Sequence, residues 1–221
     1  MAYSIAIDGP AGAGKSTIAK LIAKKMNYIY VDTGAMYRAM ALFLLRNHVK
    51  AEDAQAISSK CNEADITIRH ENGEQVVYLN GENVNGFIRT EEVGNMASAS
   101  SVNQDVRIKL VDLQRKLAKT ADIVMDGRDI GTCVLPNANV KVYLTADSAV
   151  RAKRRYDELT AKGAVCDLAM IEKDIIERDH RDMTREMSPL KQAEDAVFID
   201  SSDMTIEEVA DAVIALCKYE E

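Results

Sequence analysis

A chain of 221 residues with 47% apolar side chains is long enough for one α/β domain with a substantial buried core and room for insertions. With 28 basic against 35 acidic residues its net charge is −7, which argues against a broad electrostatic footprint for nucleic acid or an anionic membrane and leaves anion binding to local clusters. Cys61, Cys133, Cys166 and Cys217 lie far apart, with no C-x-x-C pair and no nearby His, so they read as reduced thiols of a cytoplasmic protein.

The first apolar run, Ser4 to Asp8, begins too close to Met1 to leave room for a secretory signal. It leads directly into G-P-A-G-A-G-K-S at Gly9 to Ser16, which is followed by a helical pattern with Ile18, Leu21, Ile22 and Met26 on one stripe. Strand, glycine loop and helix in this order make a phosphate-binding loop. Gly9, Gly12 and Gly14 free the backbone so that consecutive amides, including those of Pro10's successors Ala11 and Ala13, converge on phosphate oxygens at a helix N-terminus. Lys15 adds a charge for the β and γ phosphates, Ser16 supplies a hydroxyl for Mg²⁺, and Thr17 follows in the same helix. The chain is expected to bind a nucleoside triphosphate.

A second apolar run, Tyr28 to Asp32, precedes D-T-G-A-M-Y-R at Asp32 to Arg38, where Thr33 and Arg38 could meet a second anion or simply cap and cover a helix. The most apolar stretch, Ala39 to Leu45, is too short to span a bilayer and is bounded by Arg38 and Arg46. Between about Asp65 and Arg89, β-type runs at Ile66 to Ile68, Val76 to Leu79 and Phe87-Ile88 are separated by Asn72-Gly73 and Asn80-Gly81, predicting a small antiparallel meander.

Further apolar runs at Ile123 to Asp126, Val140 to Leu144 and Ala196 to Asp200 alternate with helical patterns, predicting a five-stranded parallel sheet with helices on both faces. Ligands of such sheets bind beyond the carboxyl ends of the strands, so Asp8, Asp32 and Asp126 are expected to face one crevice. Asp126, opening D-G-R-D-I-G-T, is the candidate Mg²⁺-side carboxylate, acting through water. A last helix is marked by a Thr205/Glu208 capping box, with Ile206, Val209, Val213 and Leu216 on its inner face.

Arginine is concentrated late in the chain. Arg128 to Arg185 holds seven of the thirteen arginines, with Arg151, Arg154 and Arg155 on one helix face and Arg178, Arg181 and Arg185 on another, flanking a break near Gly163. Guanidinium forks suit phosphate oxygens, so the pattern predicts a lid, against the plainer reading of a solvated face crossed by ion pairs to Glu177, Asp179 and Asp182. His48, His70 and His180 show no ligand spacing and are expected at the surface.

Together, I-D-G-P-A-G-A-G-K-S-T at Ile7 to Thr17, D-T-G-A-M-Y-R at Asp32 to Arg38, I-R-T-E-E-V at Ile88 to Val93, D-G-R-D-I-G-T at Asp126 to Thr132 and E-R-D-H-R-D at Glu177 to Asp182 make the chain resemble the bacterial-type cytidylate kinases, P-loop nucleoside monophosphate kinases. The resemblance implies transfer of the γ-phosphoryl group of MgATP to CMP or dCMP by a cytoplasmic monomer. It implies a core at about 1–37, 97–148 and 187–221, an acceptor-binding insertion at about 38–96 and a lid at about 149–186. Carried over by motif, Thr33, Ser98, Arg107, Asp129, Asp182 and Arg185 surround the nucleoside, and Arg38 and Arg128 hold its phosphate. Arg154 lies by the ATP base, and Arg178 and Arg181 close on the transferring group, making Lys15, Arg128, Arg178 and Arg181 the catalytic set. Ala35 stands where adenylate kinases carry an acid, which counts against AMP as acceptor.

A regulatory GTPase would need an N-K-x-D or T-K-x-D segment, which the chain lacks, and a non-enzymatic nucleotide-binding module would not need Arg38, the Arg128-Asp129 pair and a lid. A kinase for another small acceptor, UMP or AMP, is the remaining alternative.

Overall fold

In the computed structural model, which describes residues 2–71 and 73–217, the predicted apolar runs become strands β1 (Ser4–Asp8), β2 (Ile29–Asp32), β6 (Ile123–Gly127), β7 (Val140–Thr145) and β8 (Val197–Asp200). They form a five-stranded parallel sheet in the order β2-β6-β1-β7-β8, with helices on both faces. β1 is central and buried along its whole length, as a strand covered on both faces must be. Its register sets Ile7 beside Asp126 and Val142, and Asp8 beside Gly127 and Tyr143, so the strand ends that carry functional residues are level.

Seven helices begin at a residue whose side chain accepts a hydrogen bond from a first-turn backbone N–H: Asp32 for α2 (Thr33–Arg46), Asp53 for α3 (Ala54–Cys61), Thr90 for α4 (Glu91–Ser100), Asn103 for α5 (Gln104–Leu117), Asp147 for α6 (Ser148–Ala161), Asp167 for α7 (Leu168–Thr184) and Thr205 for α8 (Ile206–Ala215). Such caps are worth about 1 kcal/mol each. Helix α1 (Lys15–Met26) differs: it starts at Gly14 with no side-chain cap, which leaves its first amides to a ligand.

The chain divides into two compact units, one formed by Ile29–Ala121 and the other by Tyr3–Tyr28 with the chain from Asp122 onward. In Ile29–Ala121, α2 buries Ala39 to Leu44, which accounts for the apolar stretch read in the sequence. The meander is a three-stranded antiparallel sheet of β3 (Ile66–Glu71), β4 (Glu74–Leu79) and β5 (Glu82–Asn83). The third strand is therefore not Phe87-Ile88, which lie in a turn whose amides bond back to Val84; Asn80-Gly81 turns the chain so tightly that Glu82 already faces Leu79. Asn72 of the other expected turn lies outside the described residues, and its neighbour Gly73 has φ +80°.

In the other unit, α8 carries the expected capping box, but its buried face is Val209, Ala210 and Val213, with Ile206 exposed. Lys25 of α1 bridges Glu207 and Asp211 of α8 at 2.6 and 2.8 Å. The break between α6 and α7 holds Gly163 at φ +79°. All four cysteines are free, and His48, His70 and His180 are exposed, as expected. Among the described residues no helix is long and apolar enough to cross a membrane.

Candidate active site

The loop from Gly9 to Gly14 is shaped by two close approaches. A Cβ at Gly9 would lie 1.9 Å from the Leu144 carbonyl oxygen of β7, so only glycine fits as the chain leaves the sheet. At Gly12, with φ +75°, a Cβ would come within 3.3 Å of Arg151 Cβ on α6. Lys15 is buried, and its Nζ donates to the Pro10 carbonyl at 2.6 Å, folding the side chain back over the loop. Burial first, and then the Arg128 and Arg178 guanidinium charges, push the Lys15 ammonium well below its ordinary range, against the pull of Asp126. An arriving polyphosphate would reverse that shift.

Ser16 Oγ donates to Asp126 Oδ2 at 2.9 Å. A hydroxyl and a carboxylate, both hard oxygen donors, are the kind of pair that holds Mg²⁺ together with phosphate and water, so these residues fit the ion the motif implies. Asp8 at the end of β1 does different work. Its two carboxylate oxygens each accept an amide at 2.7 Å, from Ile130 and Gly131, at the start of a π-helical turn (Ile130–Val134) that directly follows Arg128-Asp129. Burial outweighs these bonds and pushes the Asp8 carboxyl up to about 6.

Around this loop the structure gathers a network of charges. Arg128 Nε donates to Asp182 Oδ2 at 2.8 Å, and Arg185 lies 3.6 Å from Asp129 and 3.9 Å from Asp182. Burial alone would raise the Asp182 carboxyl, but Arg128, Arg178 and Arg185 together hold it below the usual carboxylate range. The expectation of three arginines on one helical face needs correction: Arg185 lies just past α7 with ψ 140°, so it leaves the 3.6-residue repeat. The ion pairs read as a solvated face also prove different, because Asp179 and Asp182 are buried and pair with arginines of other elements. Arg154 is held at Ser201, 2.6 Å from its carbonyl oxygen and 3.2 Å from its hydroxyl. Arg178 is half-buried and Arg181 exposed.

The residues expected to read the acceptor from Ile29–Ala121 sit on α2 and on two helices that pack against it, α4 and α5. Thr33 is buried in the first turn of α2, and Ser98 is half-buried on α4. Arg107 on α5 is buried, donates to the Ser101 carbonyl at 3.4 Å and lies over the Tyr37 ring at 5.9 Å. Arg38 Nη1 donates to the Ile88 carbonyl at 3.2 Å, and Gly94 of α4 leaves it space, since a Cβ there would be 3.1 Å from the guanidinium.

Sequence reasoning missed what holds these residues. Gln75 on β4 pairs with both backbone groups of Asp32, accepting from its N–H at 2.8 Å and donating to its carbonyl at 3.1 Å. Arg89 bonds the Asp32 carboxylate at 2.7 Å, while the other oxygen caps α2. The meander thus anchors the residue that starts the Thr33 helix. A glutamine inside a strand pattern carries no signal for such a role, nor does Arg151 among its neighbouring arginines.

A parallel sheet with a glycine loop at the end of its central strand, an uncapped helix behind it and a lysine turned into the loop define a P-loop nucleotide-binding protein. A family model for cytidylate kinase matches residues 5–219, and the chain belongs to that family. Relatives named cytidylate kinase include one from Caldicellulosiruptor bescii, 51% identical over 96% of this chain and 94% of its own, and one from a Geobacillus species, 49% identical over 96% and 95%. A solved structure of an uncharacterised protein from Eubacterium ventriosum covers 97% of both chains with a TM-score of 0.51 at 17% identity, a likeness of fold alone.

Proposed function

We propose that the protein transfers the γ-phosphoryl group of MgATP to CMP or dCMP, giving ADP and CDP or dCDP. The observation that carries this is the loop itself, with Lys15 folded inside it and Ser16 joined to Asp126, in a chain whose relatives are named for cytidylate. The acceptor is a phosphate oxygen with a second pKa of about 6, already ionised at neutral pH, so no general base is needed. What remains is to hold two anions in line and offset their repulsion.

Gly9 to Thr17 take the donor phosphates through amides, hydroxyls and Lys15, and Arg154 covers the base of ATP. Bound Mg²⁺, held by Ser16 and, through water, by Asp126, would neutralise phosphate charge. Arg38 and Arg128 bind the acceptor phosphate, and Arg178 and Arg181 meet the charge of the transferring group. Thr33, Ser98, Arg107, Asp129, Asp182 and Arg185 read the nucleoside. Cytosine presents an N4 donor beside an N3 acceptor, so its site needs an acceptor beside a donor; Asp129 or Ser98 with Arg107 supplies that combination. A cytoplasmic monomer, free of membrane and nucleic acid, goes with this reading.

The test is ADP production from MgATP with CMP, dCMP, UMP and AMP in turn. Turnover that depends on CMP or dCMP is expected; equal turnover without acceptor, or a preference for AMP or UMP, would sink the assignment.

A further inference from the structure

Ala11, in the middle of the phosphate loop, has both its backbone groups taken by side chains from α6 and α7. Its N–H donates to Asp179 Oδ1 at 2.9 Å, and its carbonyl accepts from Arg151 Nη1 at 2.8 Å. The same Nη1 meets Asp179 Oδ2 at 2.5 Å, and Arg151 Nε donates to the Ala146 carbonyl at 2.8 Å, fixing the guanidinium plane. Both side chains are about nine-tenths buried, at 8% and 10% exposure. Next along the loop, Gly12 lies against Arg151 Cβ and Ile175 Cδ1, so α6 and α7 pack on the loop as well as bonding to it.

A buried ion pair is weak evidence for stability, because taking two charges out of water costs about as much as their attraction returns. This pair is also attached to backbone at a point where backbone position matters for chemistry. Asp179 adjoins Arg178, and one turn on, Asp182 holds Arg128. Helix α7 is thereby fastened at two points, to the loop that takes the donor phosphates and to an arginine of the transfer site.

We propose that Arg151 and Asp179 are positioning residues: by holding both backbone groups of Ala11 they fix the phosphate loop to α6 and α7 and set Arg178 in register with Lys15. Neither touches the reacting atoms in this scheme, which rests on the phosphotransferase reading above. Sub-ångström slack in the strap therefore lowers the rate of transfer and loosens the hold on ATP, while leaving acceptor affinity nearly untouched.

The decisive variant is Arg151→Met with Asp179→Leu, which removes both charges together and so avoids a lone buried ion. Its melting temperature is expected to fall by several degrees, because the Ala11 and Ala146 backbone groups lose their partners, with the variant still folded at the assay temperature. Its kcat falls about 100-fold and KM for CMP changes less than about threefold, since an ångström of misplacement can cost that much in rate. ATP affinity, read by calorimetry without acceptor, is expected to weaken about tenfold, the scale of one lost backbone-positioning contact. Asp179→Asn keeps an acceptor for the Ala11 N–H and serves as a second measure, with a smaller kcat loss and the same unchanged KM for CMP. A kcat and ATP affinity within threefold of wild type in either folded variant would overturn the proposal, as would an equal loss in KM for CMP. Should wild type fail to turn over CMP, the substrate assignment falls, and the calorimetric result with ATP still decides the strap.

Discussion

In the unit that carries the phosphate loop, backbone is held by buried charge: Arg151 with Asp179 at 2.5 Å, Arg128 with Asp182 at 2.8 Å, and Asp8 on the Ile130 and Gly131 amides at 2.7 Å. In Ile29–Ala121 the corresponding job at the end of β2 falls to the neutral amide of Gln75 and to Arg89, whose side chain is 62% exposed. In the proposed reaction the loop side meets the larger change of charge. A polyphosphate changes the local charge by several units, and prepaired ions keep the surrounding dipoles in place when it arrives. The Gln75 amide, with a backbone partner for each of its two groups, holds Asp32 at a smaller desolvation cost than a buried ion would carry, and Arg89 stays largely in solvent.

Removing the central cation breaks the charged side hardest. Lys15→Met is expected to lower kcat on the order of 10³-fold, the upper range for a single electrostatic donor. CMP affinity by calorimetry should stay nearly unchanged, because in the proposed reaction Lys15 meets only donor phosphates; a comparable loss of CMP affinity would abolish the division of labour.

Buried charge should also leave a mark on stability. Asp8 titrates near 3.8 when exposed and about 6 when folded, so the folded chain holds the extra proton between these values. Its contribution is fully present below pH 3.8 and is lost as pH rises through 6, a span of up to about 3 kcal/mol. Denaturant melts of wild type and Asp8→Asn from pH 4 to 7 would show it: the variant should lack this fall in stability. Parallel curves would mean that Asp8 is not strained by burial.

On the nucleoside side, Arg107→Met should reduce kcat/KM for CMP about tenfold or more while affecting UMP much less, as expected when a buried hydrogen-bond partner for one base is lost. Assays with both acceptors at fixed MgATP decide it, and equal losses would reduce Arg107 to a packing role on Tyr37. The smallest effect belongs to the neutral clamp. Gln75→Ala should raise KM for CMP only about fivefold, the worth of roughly 1 kcal/mol of hydrogen bonding, with kcat retained. A kcat loss larger than the KM change would show that the meander serves the transfer step as well.

Much of this protein follows from local sequence. The phosphate loop needs glycines where a Cβ would strike Leu144 or Arg151, a lysine and a serine at fixed spacing, and a strand and helix on either side, and all of that is written in consecutive residues. The parallel strands likewise declare themselves as short apolar runs: β1, β6 and β7 are buried along most of their length, which leaves no polar alternation, while the last strand, β8, is apolar in Val197 to Ile199 although largely exposed. The capping box of α8 is equally local. Helix α7 shows where such reading ends. Its buried stripe is Ile175, Asp179 and Asp182, a helical repeat whose inward members are mostly charged. Periodicity scores them as surface, and only their partners, Arg151 and Arg128 from distant parts of the chain, make them interior. The third meander strand differs from the expected Phe87-Ile88 for a related reason: a tight Asn-Gly turn brings Glu82 back to Leu79, and the two residues of the strand, Glu82 and Asn83, carry no strand signal in their composition. Spacing fixes which groups a segment offers, whereas the price of burying a charge depends on what the rest of the chain brings to it.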